Sequence, residues 1–291
     1  MSLIEEALKR AKRDATGDSK PVRPRVEVRA AAPSGRLATT LASRPLYEID
    51  RDALRTAGLA PQGSAERRLT SEYRAVKRAL LGALSRRTGE SAARGNSIMV
   101  ASAMPGEGKT FTSINLAISL AAERDWTVML VDADGAKRHL TSALGLREER
   151  GLFDVLADSS QSLADVAFRT SIPGLCVIPA GRFSESATEL MSSARMSQVL
   201  GDLLREDPHT IVLFDSSPIL LTTESRALAD VVNQVLLVVR ADHTPRASVQ
   251  EAIGALGEGH NIGLILNEYQ GTALQQSYYD GEDSERARPA D

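Results

Sequence analysis

The sequence predicts an α/β fold in which helices cover both faces of a doubly wound, mostly parallel sheet. Six short runs rich in β-branched residues alternate with segments of helical spacing, the order expected of successive β-α-β units. Runs such as "TVMLVD" and "QVLLVV" are apolar on both faces, which is typical of strands buried between two helical layers. Ligands of such a sheet gather beyond the carboxyl ends of its strands.

Composition narrows the class of protein. The 291 residues are 42% hydrophobic and 25% charged, which indicates one main globular domain with polar ends. A net charge of only −3 gives no global reason to expect nucleic acid as a partner. No run approaches the ~20 apolar residues that span a bilayer, and no signal peptide is recognisable, so we expect a cytoplasmic protein. Cys176 lies in an apolar stretch and is expected to be a small buried hydrophobe.

The chain is expected to divide into three regions. Residues 1–65 are predicted to form a short amphipathic helix, Ser2–Arg13, followed by a flexible linker rich in Pro, Arg, Ala, Ser and Gly. Residues 66–267 are predicted to form the folded domain, which opens with a helix where apolar spacing returns. Residues 268–291 are polar and charged and are expected to be a flexible tail.

Strands and helices alternate within the predicted domain. The predicted strands are Ser97–Ala103, Thr127–Asp132, Leu175–Pro179, Thr210–Asp215, Gln234–Arg240 and Asn261–Asn267. The predicted helices are Glu66–Leu84, Lys109–Glu123, Gly151–Phe168, Ala194–Arg205, Ser225–Asp230 and Pro245–Leu256.

A glycine-rich stretch, "PGEGKT", joins the first predicted strand to the following helix. Strand, glycine-rich loop and helix in this order is the context that a phosphate-binding loop requires. In that geometry backbone N–H groups face the phosphates, the Lys109 ammonium neutralises the β- and γ-phosphate oxygens, and the Thr110 hydroxyl binds Mg²⁺. The nucleotide-binding residues predicted here are Pro105, Gly106, Glu107, Gly108, Lys109, Thr110 and Phe111.

Three aspartates stand at or just after predicted strand ends: Asp132, Asp134 and Asp215. Because Mg²⁺ takes few protein ligands, a loop hydroxyl together with a strand-end aspartate is the arrangement expected for magnesium-bound ATP. Any one of these aspartates equally suits a helix cap or a turn. Three of them behind one phosphate-binding loop favour the metal interpretation.

The segments "PGEGKT", "VMLVDAD" and "IVLFDSSP" resemble the Walker A, Walker A′ and Walker B motifs of bacterial tyrosine kinases, which have a phosphate-loop NTPase fold of the deviant Walker type. The likeness covers roughly residues 69–267, and "MSLIEEALKRA" resembles the start of autokinases from exopolysaccharide and exosortase gene clusters. The resemblance implies an ATP-dependent protein-tyrosine autokinase that regulates exopolysaccharide or capsule synthesis and export.

The resemblance also implies roles for individual residues. Lys109, Asp132 and Asp134 would be catalytic, with Asp132 activating the incoming tyrosine hydroxyl. Thr110, Asp132 and Asp215 would organise Mg²⁺.

Two residues at later strand ends, Arg240 and Asn267, would neighbour the adenine or ribose. Their interpretation as strand-end caps is equally good.

The same resemblance implies which tyrosines accept the phosphate and which proteins bind the kinase. In the family the acceptor is usually a tyrosine-rich tail of a neighbouring subunit, and Tyr269, Tyr278 and Tyr279 lie in the tail of this chain as predicted autophosphorylation sites. An accidental tyrosine pair is the alternative. The implied partners are further copies in a ring-like homo-oligomer, a membrane polysaccharide co-polymerase that activates the kinase at the inner membrane, and a cognate tyrosine phosphatase.

Two departures from the patterns of related proteins bear on this interpretation. Partitioning and division-site ATPases, nucleotide-switched assembly proteins of the same fold, carry a signature lysine where this chain has Met104, which favours the kinase over that alternative. The Glu, Arg, Arg pattern of the family's oligomerisation helix reads Ser71, Arg74 and Lys77 here, so the size of the ring is left open.

Overall fold

The computed structural model describes residues 40–269, apart from 42, 64, 86–94, 148 and 184–185. The strands are β1 (Ser97–Ser102), β2 (Thr127–Asp132), β3 (Phe168–Arg169), β4 (Leu175–Ile178), β5 (Thr210–Asp215), β6 (Gln234–Arg240) and β7 (Ile262–Asn267). The helices are α1 (Arg51–Thr56), α2 (Ala65–Ser85), α3 (Lys109–Ala121), α4 (His139–Ala143), α5 (Leu152–Ala157), α6 (Leu163–Val166), α7 (Ala187–Ser192), α8 (Ala194–Glu206), α9 (Thr223–Val231) and α10 (Arg246–Leu256).

The seven strands form one sheet in the order β3-β4-β2-β5-β1-β6-β7. All pairs are parallel except β3 with β4, which confirms the predicted α/β class and the six predicted strands. The register between β2 and β5 places Asp132 directly opposite Asp215. The carboxyl ends of the central strands therefore meet at one edge, where a ligand is expected.

Each face of the sheet has its own apolar core. Met99 and Phe214 face the layer of α5 to α10, whereas Ile98 and Leu213 face α1 to α4. This arrangement explains why β1, β2 and β5 are apolar at successive positions, since alternate side chains enter opposite layers.

The single predicted helix Gly151–Phe168 is wrong. The chain forms α5 and α6 instead, and then the short strand β3. The break lies at "DSSQ", where the Asp158 carboxylate accepts hydrogen bonds from Ser160 N at 2.9 Å and Ser160 Oγ at 2.7 Å. Such local side-chain bonds stabilise a turn in competition with helix.

The prediction of a flexible linker is wrong for residues 43–63. Leu54 of α1 is 1% exposed and belongs to the core on the α2 side, and Tyr47 N donates to Arg169 O of β3 at 2.7 Å. Asp50 caps α1 through the N–H groups of its first turn. The apolar residues here are too widely spaced to show a helical period. The predicted helix Ser2–Arg13 and most of the predicted tail lie outside the described residues.

None of the helices in the described ranges has the length and hydropathy required to cross a bilayer.

Candidate nucleotide and catalytic site

The phosphate-binding loop joins β1 to α3 and depends on glycine geometry. Gly106 has φ 78° and Gly108 has φ 90°, in the left-handed region that favours glycine. A Cβ at Gly108 would also lie 2.0 Å from Asn267 Nδ2. Because α3 begins at Lys109, the free N–H groups of its first turn lie at the end of this loop. The loop therefore has the backbone conformation that phosphate binding needs.

Asp215, at the end of β5, accepts hydrogen bonds from two hydroxyls of α3. Thr110 Oγ1 lies 2.8 Å from Asp215 Oδ2, and Ser113 Oγ lies 2.9 Å from Asp215 Oδ1. Burial, together with the charge of Asp132, raises the pKa of Asp215 to about 7. A hydroxyl and a carboxylate at this separation are the oxygen donors that Mg²⁺ prefers, so these residues fit the ion.

Lys109 lies among the same carboxylates. Its side chain is buried, and burial lowers the pKa of Lys109 while the charges of Asp215 and Asp134 oppose that change. Across the described ranges, no three His, Cys, Asp or Glu side chains cluster as an all-protein metal site would require.

Asp132, at the end of β2, is fully buried and held by three donors. Asp134 N donates to Oδ1 at 3.1 Å, while Thr141 N and Thr141 Oγ1 donate to Oδ2 at 2.8 and 2.7 Å. Burial raises the pKa of Asp132 to about 6, although the Thr141 hydrogen bonds oppose the increase. A carboxylate offers about four acceptor positions, and these hydrogen bonds occupy three of them.

Residues that end or follow β6 and β7 contact the phosphate-binding loop. The Glu107 carboxylate accepts hydrogen bonds from Met104 N, at 2.8 Å, and from Thr244 Oγ1. Asn267 Nδ2 donates to Glu107 O at 3.0 Å. Arg240 pairs instead with Glu268, with Nε 2.7 Å from Oε2. Asn267 is thus in contact with the phosphate-binding loop, whereas Arg240 forms an ion pair beyond it.

The structure brings together most of the residues predicted for the site. Lys109, Thr110, Asp132, Asp134 and Asp215 converge at the carboxyl ends of β1, β2 and β5.

The other predicted site residues have different surroundings. The Phe111 side chain packs into the core on the α2 side, and Pro105 is exposed. Tyr269 is half exposed just beyond β7, while Tyr278 and Tyr279 lie outside the described residues. Lys77, a position of the oligomerisation pattern, is buried in an ion pair with Glu123, with Nζ 2.6 Å from Oε1.

Sequence reasoning missed three contributors: Ser113, Thr141 and Thr244. Ser113 lies four residues after Lys109, on the same face of α3. Helical spacing could therefore have indicated that Ser113 also faces the site, where it contacts Asp215. Thr141 lies in the short helix α4 and Thr244 lies in the loop after β6, and nothing in the local sequence pattern marks either residue.

Comparison with known proteins agrees with this geometry. A family profile described as an AAA domain matches residues 95–256. The putative tyrosine-protein kinase EpsB of Ralstonia nicotianae is 35% identical over 186 residues, which are 63% of this chain and 24% of EpsB. The tyrosine-protein kinase YwqD of Bacillus subtilis is 31% identical over 173 residues, which cover 59% of this chain and 71% of YwqD. The chain belongs to the bacterial tyrosine kinase family.

A solved structure of this kinase family supports the same assignment. The kinase domain of VpsO matches with a TM-score of 0.58 at 30% identity, covering 72% of this chain and 100% of that one. The region that matches the AAA domain profile, residues 95–256, contains the loop and all three strand-end aspartates but ends before Asn267. This chain corresponds to only 24% of the length of EpsB, so the comparison concerns one region of that longer protein.

Proposed function

We propose that this chain is an ATP- and Mg²⁺-dependent protein-tyrosine kinase that phosphorylates tail tyrosines of a neighbouring copy. The observation that carries the proposal is the convergence of a buried ammonium, a hydroxyl in the first turn of α3 and three carboxylates at adjacent strand ends. Phosphoryl transfer depends mainly on positioning and charge neutralisation, and this set supplies both.

Each residue has a proposed role in the transfer. Lys109 and the loop N–H groups bind the β- and γ-phosphates, while Thr110 and Asp215 hold Mg²⁺. When bound, Mg²⁺ neutralises charge on the phosphate oxygens. Asp132 accepts the proton of the tyrosine hydroxyl as the new oxygen–phosphorus bond forms and ADP leaves, and its raised pKa, about 6, suits a base near neutral pH. Asp134 supports the metal from the adjacent loop.

A nucleotide-switched assembly ATPase that transfers phosphate to water is the second candidate. The residue that such ATPases use across a dimer is a lysine, and this chain has an exposed Met104 at that place. The curated relatives reported above are named tyrosine-protein kinases. Both observations favour the kinase.

The proposed setting is regulation of exopolysaccharide or capsule synthesis and export. The support is the resemblance to autokinases of exopolysaccharide gene clusters. In this proposal a membrane polysaccharide co-polymerase holds the kinase at the inner membrane, and copies of the kinase assemble into a ring-like homo-oligomer. A tyrosine phosphatase removes the phosphate from the tail tyrosines. Residues 66–267 with the packed segment 43–63 form the catalytic domain, and residues 268–291 form the acceptor tail.

The deciding experiment follows the γ-phosphate. The full chain is incubated with Mg²⁺ and ATP labelled at the γ position, and the label is traced by phosphoamino-acid analysis. We expect phosphotyrosine that disappears in Lys109→Met and decreases strongly in the double variant Tyr278→Phe, Tyr279→Phe. Label released only as free phosphate would establish the assembly ATPase instead.

A further inference from the structure

The sheet order determines the side from which a phosphate acceptor approaches. The phosphate-binding loop follows β1 and contacts Asn267 of β7, so a nucleotide bound to this loop would lie toward β6 and β7. Asp132 ends β2 and Asp134 follows it, on the side of β4. In phosphoryl transfer the attacking and leaving oxygens lie roughly in line across the phosphorus. An acceptor that reaches the Asp132 side of the phosphate would therefore approach from the β4 side.

An exposed aromatic ring lies on that side. Phe183, five residues after β4, is 41% exposed, and its ring packs edge-on against the buried Phe153 with centroids 5.5 Å apart. A Cβ on Gly135 would lie 2.1 Å from Phe183 Cδ2, so the ring rests on the backbone directly after Asp134. The ring is thus fixed beside the catalytic carboxylates while much of it faces solvent.

Two guanidinium groups accompany the ring. Arg182 Nε lies 2.9 Å from Asp154 Oδ1, yet the Arg182 side chain is 81% exposed. Asp154 also accepts the Arg182 and Gly151 N–H groups, at 3.1 and 3.0 Å, which holds this turn in place. Arg138 Nη1 donates to Gly181 O at 3.2 Å. A guanidinium held at one nitrogen is already oriented for an anion at its free side.

We propose that Arg138, Arg182 and Phe183 form an acceptor surface that binds a tyrosine followed by acidic residues, supplied by the tail of a second copy. This inference rests on the proposed kinase function. The tail reads "SYYDGEDSE", so Asp280, Glu282 and Asp283 closely follow the tyrosine pair. The phenol ring packs on Phe183 while these carboxylates pair with the arginines. The charge and the aromatic character of the surface both match this segment.

The test separates enzyme from acceptor. The acceptor is the full chain with Lys109→Met, which lacks transfer activity of its own. The enzyme is the full chain with Tyr269, Tyr278 and Tyr279 changed to Phe. Phe183→Ala and Arg182→Gln are introduced into the enzyme, with Leu264→Ala and Arg226→Gln as controls at an exposed apolar and an exposed charged position elsewhere. KM is measured for the acceptor and, separately, for ATP.

We expect Phe183→Ala to raise the KM for the acceptor about tenfold. Loss of the contact between two aromatic rings weakens binding by about this factor. Arg182→Gln should raise it about threefold to fivefold. The KM for ATP should stay within about twofold in both, and the controls should resemble the parent. Replacing Asp280, Glu282 and Asp283 of the acceptor by Asn, Gln and Asn should abolish the effect of Arg182→Gln.

Opposite outcomes overturn the inference. An unchanged acceptor KM in both enzyme variants would exclude this surface, as would an Arg182→Gln effect that persists with the neutralised tail. Absence of transfer between two chains, while the unmodified chain still labels its own tyrosines, would exclude the second copy as the occupant. Absence of phosphotyrosine in every reaction would instead refute the proposed kinase function.

Discussion

At the scale of single residues, the Thr141 hydroxyl is the one side-chain donor among the three hydrogen bonds that Asp132 accepts in the described part of the chain. Thr141 Oγ1 accepts the Ala180 N–H at 2.9 Å, so its own proton is directed at Asp132 Oδ2. The Thr141 backbone N–H reaches the same oxygen. Bonds to both oxygens hold this carboxylate in one orientation, which is what the proposed role of Asp132 as a base requires.

Thr141→Val keeps the shape of the side chain and removes that hydroxyl. Since a hydrogen bond to a charged group is worth about 1.5–3 kcal/mol, we expect kcat for phosphotransfer to fall about tenfold or more. The KM for ATP should change little, and Thr141→Ser should retain most of the activity. Initial rates measure the effect, and thermal unfolding checks that both variants are folded. Equal rates for the Val and Ser variants would contradict the role.

Gly108 is a position at which only glycine fits, because of its backbone conformation and the nearby Asn267 side chain. Gly108→Ala combines a strained φ with a collision at Asn267, so we expect nucleotide affinity to fall more than about tenfold in a titration with a fluorescent ATP analogue. The matched control is Gly254→Ala in α10, where an added Cβ meets no atom within 4 Å. That variant should bind nucleotide normally and unfold at an equal or higher temperature. Normal affinity in Gly108→Ala would show that the loop tolerates another backbone conformation.

At the scale of elements, α1 is part of the folded domain. Leu54→Ala removes a core side chain, and we expect it to lower the free energy of unfolding by about 2–4 kcal/mol. Leu46→Ala, at an exposed leucine of the same segment, should change it by less than about 1 kcal/mol. Urea denaturation compares the two. Equal, small effects would mean that residues 43–63 do not stabilise the domain.

The burial of Tyr73 in α2 should make the stability of the fold depend on pH in the alkaline range. Burial raises the pKa of Tyr73 to about 12, above the ordinary value near 10 of the unfolded chain. The neutral phenol is therefore favoured in the folded state, and its contribution to stability is complete below pH 10 and is lost as the pH rises toward 12. Tyr73→Phe cannot ionise, so its melting temperature relative to the parent should increase between pH 8 and pH 11. A constant difference in thermal unfolding experiments would contradict this assignment.

At the scale of the whole molecule, phosphorylation should change assembly. Two phosphates on the tail add about −3 to −4 charges to a chain whose net charge is −3. If acidic tails bind between copies, the added repulsion should shift the protein to smaller species. Light scattering after size-exclusion chromatography, before and after phosphatase treatment, measures this shift. Lys109→Met should show no response to the phosphatase, and an identical mass for both states of the parent would refute phosphorylation-controlled assembly.

The sequence predicted the central strands correctly, but it did not predict the turn at Asp158 or the packed segment around α1. The central strands were predictable because strands covered on both faces must be apolar at every position. Helix Gly151–Phe168 was wrong because a turn at Asp158 depends on local side-chain hydrogen bonds that apolar spacing does not register. The segment around α1 was missed because Leu54 is buried by residues distant in the chain.

The sequence by itself determined the α/β sheet, the phosphate-binding loop and the aspartates at the strand ends, because these follow from local periodicity and from residue types in fixed order. Only the tertiary structure decided which oxygens of Asp132 and Asp215 are occupied, that Asn267 rests on the loop, and that Phe183 lies beside Asp134. The physical reason is that hydrogen-bond direction and close packing depend on atoms from distant parts of the chain, which meet only when the sheet has formed.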